Sequence, residues 1–135
     1  MNRSKKWENP IKRMIYTNKM HNGELLYMNS YKGYNYIIIS YGTHPCCYIM
    51  LDTNNKYFGK DYEKIPLDVH GGLTYSDDEL GKFIVGDNYW IIGWDYAHWG
   101  DRFGEYITNG HTWKTTELIK DCIKAIDGLE VLNNG

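Results

Sequence analysis

Two short segments hold most of the residues able to do chemistry. In residues 69–75, V-H-G-G-L-T-Y, His70 is followed by Gly71 and Gly72. Paired glycines reach positive φ and carry no Cβ, so their backbone N–H groups can approach a ligand and form an anion-binding nest beside the imidazole. A phosphate suits such a site. The structural alternative is a β-bulge that lets another backbone or an aromatic ring pack closely. In residues 93–101, G-W-D-Y-A-H-W-G-D, the side chains Asp95, His98 and Asp101 recur at three-residue steps directly after an apolar run. Strand ends commonly deliver functional side chains into loops. These residue types can bind a divalent metal, or act as acid, base and orienting group, and a hydrogen-bond network that fixes the loop is the equally weighted structural alternative. If the two segments lie on neighbouring strands, His70 reaches Asp95 across the sheet and donates to it, so that His70, Asp95 and His98 meet in one cleft.

Aromatic residues flank both segments. Tyr75, Trp90, Trp94 and Trp99 could each stack a nucleobase, an interaction of roughly 1–3 kcal/mol per base. The candidate ligand-binding set is therefore His70, Gly71, Gly72, Thr74, Tyr75, Trp94, Asp95, His98, Trp99 and Asp101, with Asp95, His98 and Asp101 as the alternative ligand set for a divalent metal and no other cofactor expected. A Ser-His-Asp hydrolase is poorly supported, because no G-x-S-x-G elbow exists and Ser76 sits in an acidic stretch. Neither a Walker loop nor a dinucleotide fingerprint is present.

The elements that must position these residues can be read from the apolar pattern. Residues 25–28, 34–41 and 46–51 are rich in β-branched and aromatic side chains and are separated by Gly33 and by the Gly42-Thr43-His44-Pro45 turn, which predicts antiparallel strands. Residues 52–66 form a polar loop long enough to be functional or to hold a short helix. Residues 69–75 read as a strand interrupted by glycines, 76–81 as an acidic turn, 83–85 as a short strand and 89–94 as the strongest apolar run of the second half. Then the period changes. Leu118, Ile119, Cys122, Ile126 and Leu129 recur at three- and four-residue steps and line one face of a helix, with Thr112 or Thr115 as its cap and Gly128 as its end. The expected fold is α+β, a twisted antiparallel sheet packed against a C-terminal helix, with long functional loops.

Composition sets the bounds. The 135 residues are 42% apolar and 24% charged, enough for one core and one domain. Residues 1–22 read as a basic, weakly packed arm and residues 23–135 as a single α+β domain. Of 15 basic and 17 acidic residues, six and one fall within residues 1–21, leaving an acidic body. That balance argues against direct DNA or RNA binding, which needs a basic stripe. Cys46, Cys47 and Cys122 fit neither a disulfide framework nor zinc spacing, so they are expected to be small buried hydrophobes in a reducing cytosol. No apolar signal region and no run of about 18 apolar residues occurs, which disfavours secretion and membrane insertion. The aromatic share of 16% suits a ligand cleft or a protein interface as well as strand filling.

The motifs, taken together, resemble a family of small bacteriophage and prophage proteins. The family pattern runs G-H-x-C-G-Y-V, Y-G-x-x-Y, V-H-G-G-L-T-Y, W-x-x-G-F-D-C-A-H-x-G-D and a closing helix, and the likeness spans roughly residues 34–130. His70, Asp95, His98 and Asp101 match the pattern. Cys47, Trp94 and Tyr96 depart from it, standing where the pattern has Gly, Phe and Cys, so a mechanism needing a thiol at position 96 is ruled out here.

The resemblance implies a phage setting, in the cytoplasm of an infected bacterial host, and small phage proteins of that setting often counteract host defence. The leading expectation is a non-enzymatic protein that binds and sequesters a phosphate-containing, nucleotide-type ligand such as an immune signal. The alternatives are a metal-dependent hydrolase of such a ligand, and a protein inhibitor that meets a host defence nuclease through an acidic, aromatic surface. Self-association as a homo-oligomer is left open.

Overall fold

The computed structural model describes residues 24–77, 89–98, 100–101 and 110–135. The arm 1–22, the short strand expected at residues 83–85 and Trp99 lie outside the described residues. Five strands form one antiparallel sheet: β1 (Glu24–Tyr31), β2 (Tyr34–Ser40), β3 (Pro45–Leu51), β4 (Tyr75–Asp77) and β5 (Trp90–Asp95), in the spatial order β1-β2-β3-β5-β4. One long helix, α1 (Thr115–Asn134), packs on one face. The expected α+β architecture is the observed one.

Local chemistry explains the connections. Lys32 and Gly33 both take positive φ, +49° and +82°, as the two-residue turn of a tight hairpin requires, and they place Tyr31 opposite Tyr34. The β2–β3 turn closes with the Tyr41 N–H donating to the His44 carbonyl at 3.0 Å. Pro45 starts β3, where its missing N–H is tolerated, and its carbonyl accepts from the Tyr96 N–H at 3.1 Å. That bond carries the β3–β5 pairing one residue past the end of β5, into the loop that holds the functional motif.

β2, β3 and β5 are buried on both faces. Tyr36, Ile38, Cys47, Ile49, Ile92 and Trp94 pack toward α1, while Ile37, Ile39, Cys46, Tyr48, Met50 and Ile91 form a second buried cluster on the other side. Continuous apolar runs such as Y-I-I-I and C-C-Y-I-M-L are the sequence form of strands covered twice. Cys46 and Cys47 therefore point to opposite faces, both buried, and burial pushes both thiols upward, Cys46 to about 12. They are inert as nucleophiles at neutral pH.

Three expectations are corrected. Residues 69–75 are not a strand: Val69 to Gly72 form a turn closed by the Gly72 N–H on the Val69 carbonyl at 2.9 Å, and pairing starts only at Tyr75, which makes Ser76 a strand residue and not a turn. Two successive positive-φ glycines cannot continue a ladder. The helix is capped not by Thr112 or Thr115 but at Lys114, whose N–H is accepted by Glu117 Oε1 at 3.0 Å, the carboxylate half of a capping box. Nor does Gly128 end the helix. A Cβ there would sit 3.1 Å from Leu67 Cδ1, so this glycine lets the loop before His70 lie close against α1. The buried stripe Leu118, Cys122, Ile126 and Leu129 is as the periodicity predicts, with Ala125 added.

Candidate functional site

His70 occupies the second position of the Val69–Gly72 turn and Gly71 the third, where a φ of +69° gives the turn type II geometry. Glycine is required at 71 for a second reason. A Cβ built there would fall inside van der Waals contact of the His98 imidazole. The glycine pair thus brings an aromatic ring onto the backbone, the close-packing alternative weighed for this motif. The Gly72 N–H is already spent inside the turn, which weakens the anion-nest expectation.

The pairing of the chemistry-bearing residues differs from the one expected. His70 Nε2 lies 2.8 Å from Asp101 Oδ2, not against Asp95. Asp95 is taken by its own loop: Oδ1 accepts from the Ala97 N–H at 3.1 Å, Oδ2 accepts from the Thr74 hydroxyl at 3.2 Å, and His98 Nε2 stands 3.1 Å from Oδ1. That last approach is close enough for an ion pair but misaligned for a hydrogen bond, and His98 Nε2 is buried without another partner among the described residues. The His70 and His98 rings lie 5.8 Å apart at their centroids, while each imidazole faces its own carboxylate. The pairing is crossed because β5 ends at Asp95 and the chain turns back, so that the Asp101 N–H bonds to the His98 carbonyl and the loop's far end, not its start, sits behind His70.

Asp101 is the anchor of the site. It is 2% exposed, and its two oxygens accept from three donors: His70 Nε2, the His98 N–H at 3.0 Å and the Trp113 indole N–H at 2.7 Å. Burial alone raises its pKa, but these hydrogen bonds outweigh burial and hold the carboxyl below its ordinary value. An ionised Asp101 requires the proton on His70 Nε2. In the neutral imidazole Nδ1 is then the lone-pair nitrogen, and it has no hydrogen-bond partner among the described residues.

Tyr96 and Trp113 complete the frame. The His70 ring stacks on Tyr96 at 4.6 Å and 12°, and Trp113 meets it edge-on at 4.9 Å. The Tyr96 hydroxyl accepts from the Trp94 indole at 3.0 Å and donates to Asp121 Oδ2 at 2.7 Å. Burial, first of all, keeps that hydroxyl protonated. Val69, His70 and Trp113 line a cleft of about 260 Å³ together with Asp68, Asp121 and Lys124. Such a volume lies just under the range of about 300–1,000 Å³ usual for small-molecule sites.

Three expected aromatic contacts are not at this cleft. Trp94 is 1% exposed, a core residue with no face left for a base. Tyr75 packs into the cluster on the opposite face of the sheet, edge-on to Tyr48 at 5.5 Å. Trp90 lies at the far end of β5, about 17 Å away at strand rise, with its indole N–H on the Lys60 carbonyl. Thr74 and Asp95 hold the loop, and Asp95, His98 and Asp101 do not form one ligand set. Among the described residues no group of three His, Cys, Asp or Glu side chains is arranged to hold a metal ion.

Sequence reasoning missed Tyr96, Trp113, Asp121 and Lys124 as site residues. Asp121 and Lys124 were readable only as polar positions three apart on the helix, one step off its apolar stripe. No protein-family model, curated protein or solved structure matches this chain. Among the described residues no helix is long and apolar enough to cross a membrane.

Proposed function

We propose that this protein binds and sequesters a nucleotide-type, phosphate-containing ligand in the His70 cleft, as a phage accessory protein acting in the host cytoplasm against a defence signal. One observation carries the binding part: a buried carboxylate holds the backbone of its own loop and fixes an imidazole and an indole that line an opening. A desolvated carboxylate is costly to the fold unless every donor is in place. Local conflicts of that kind are expected where function has a claim on the residues. The imidazole offers one oriented ring nitrogen, Trp113 a flat apolar surface, and Lys124 a cation for phosphate. The phage setting rests on the motif resemblance alone.

The test is thermal shift and calorimetry on the full chain with nucleoside monophosphates, nucleoside diphosphates and inorganic phosphate, with and without chelator. A ligand that binds only the folded state adds about 2.7 kcal/mol at one hundred times its Kd. Stabilisation by a nucleotide, absent in His70→Ala and unaffected by chelator, supports sequestration. Stabilisation by none of these probes overturns it. The same His70–Asp101 pair is also what a general base needs, so metal-dependent or metal-independent turnover of the nucleotide would assign a hydrolase instead.

A further inference from the structure

The cleft carries two carboxylates, Asp68 and Asp121, against one lysine, Lys124. A bare phosphate is poorly matched to that wall. A ligand that meets it must bring hydrogen-bond donors to the carboxylates as well as an anion to the lysine. The two carboxylates are not equivalent. Asp68 is exposed and screened by water, whereas Asp121 is half-buried with Oδ2 held by the Tyr96 hydroxyl at 2.7 Å. Tyr96 also supports His70 on its ring, so one buried side chain fixes both the imidazole and the carboxylate that share the cleft. Asp121 Oδ1 has no hydrogen-bond partner among the described residues.

We infer that Asp121 is a specificity-determining residue of this site, a fixed acceptor that selects a nucleotide whose base carries an exocyclic amine over one that presents a carbonyl at that position. This rests on the nucleotide-binding reading of the cleft. A carboxylate with no donor role rejects a carbonyl oxygen by repulsion and leaves it unpaired, while an amine satisfies it. Lys124, three residues further along the same helix and lining the same cleft, is then the cation for the phosphate of the same molecule. The Trp113 indole, its N–H held by Asp101, lines the same cleft beside them.

Adenosine monophosphate and inosine monophosphate are suitable probes, since they have equal charge and exchange an exocyclic amine for a carbonyl, with N1 changing from acceptor to donor beside it; purine riboside monophosphate, which lacks the amine and keeps the N1 acceptor, is the control that isolates the amine. Calorimetry on the full chain should give a preference for the adenosine compound of about ten-fold or more, the scale of one hydrogen bond to a charged group. Asp121→Asn keeps the acceptor that Tyr96 needs and adds a donor, so it should bring the two affinities within about two-fold or invert them. The inference is overturned if the wild-type chain binds both equally or prefers the inosine compound, or if Asp121→Asn keeps the wild-type preference. Binding of neither probe or of any other nucleotide removes the parent reading together with this one, whereas binding without discrimination removes this one alone.

Discussion

His70 Nε2 and Asp101 Oδ2 stand 2.8 Å apart, 31 residues distant in sequence, with the imidazole at the wall of a cleft and the carboxylate sealed behind it. The pair predicts a pH dependence whose sign follows from Asp101. Its folded pKa lies below the ordinary carboxylate value, so its stabilisation is complete above the unfolded pKa near 4 and is lost as pH falls through the folded value. Melting temperature measured between pH 3 and pH 7 should fall on acidification in the wild-type chain. In Asp101→Asn that component should be missing and the whole curve lower, since an amide keeps one acceptor oxygen and must turn its NH2 toward either the Trp113 N–H or the His70 and His98 N–H groups. Parallel curves for the two proteins would show that Asp101 carries no linked proton.

The two glycines of the motif should respond unequally to substitution. Gly71→Ala combines positive-φ strain with a collision against the His98 ring, whereas Gly72→Ala meets open space and pays only for its φ of +81°. Strain of this kind costs about 1–3 kcal/mol. Urea denaturation should therefore rank Gly71→Ala as the more damaging by at least about 1 kcal/mol. Equal losses would mean that the His98 contact is soft.

Much of the scaffold was legible because burial leaves a pattern that length and residue type cannot mimic. The apolar runs of β2, β3 and β5 and the spacing from Leu118 to Leu129 specify strands and a helix directly. What was not legible was long-range pairing. Nothing local distinguishes Asp95 from Asp101 as the partner of His70, because the choice depends on where the chain turns after β5. Trp113 and Asp121 were invisible for the same reason. They belong to the site only because α1 and its lead-in pack across the turn of His70. Trp94 was misplaced because an indole beside a functional motif looks alike in sequence whether it faces ligand or core.

The helix stripe gives a plain stability test. Ile126 is fully buried and Val131 is 73% exposed on the same helix. Ile126→Ala should lose about 2–4 kcal/mol in equilibrium unfolding through lost burial plus a cavity. Val131→Ala should change stability by less than about 0.5 kcal/mol. A small effect at Ile126 would contradict the packing of α1 on the sheet.

Tyr96→Phe separates the two duties of that side chain. The ring under His70 remains, but the Trp94 N–H loses its acceptor and Asp121 its donor. A buried donor left unpaired costs about 1–3 kcal/mol. The variant should fold with that loss, keep nucleotide binding and lose discrimination between amine and carbonyl bases. Unchanged discrimination would show that Asp121 does not depend on the tyrosine for its position.

Ring nitrogen Nδ1 of His70, with a proton held on Nε2 by Asp101, is the atom that meets the ligand in the proposed complex. Nitrogen-15 NMR of the imidazole reads both halves at once. In the free protein the neutral His70 imidazole should carry its proton on Nε2, and saturating adenosine monophosphate should shift the Nδ1 resonance while Nε2 stays bonded to Asp101. A bound nucleotide that leaves Nδ1 unmoved, or a free protein with the proton on Nδ1, would contradict the account.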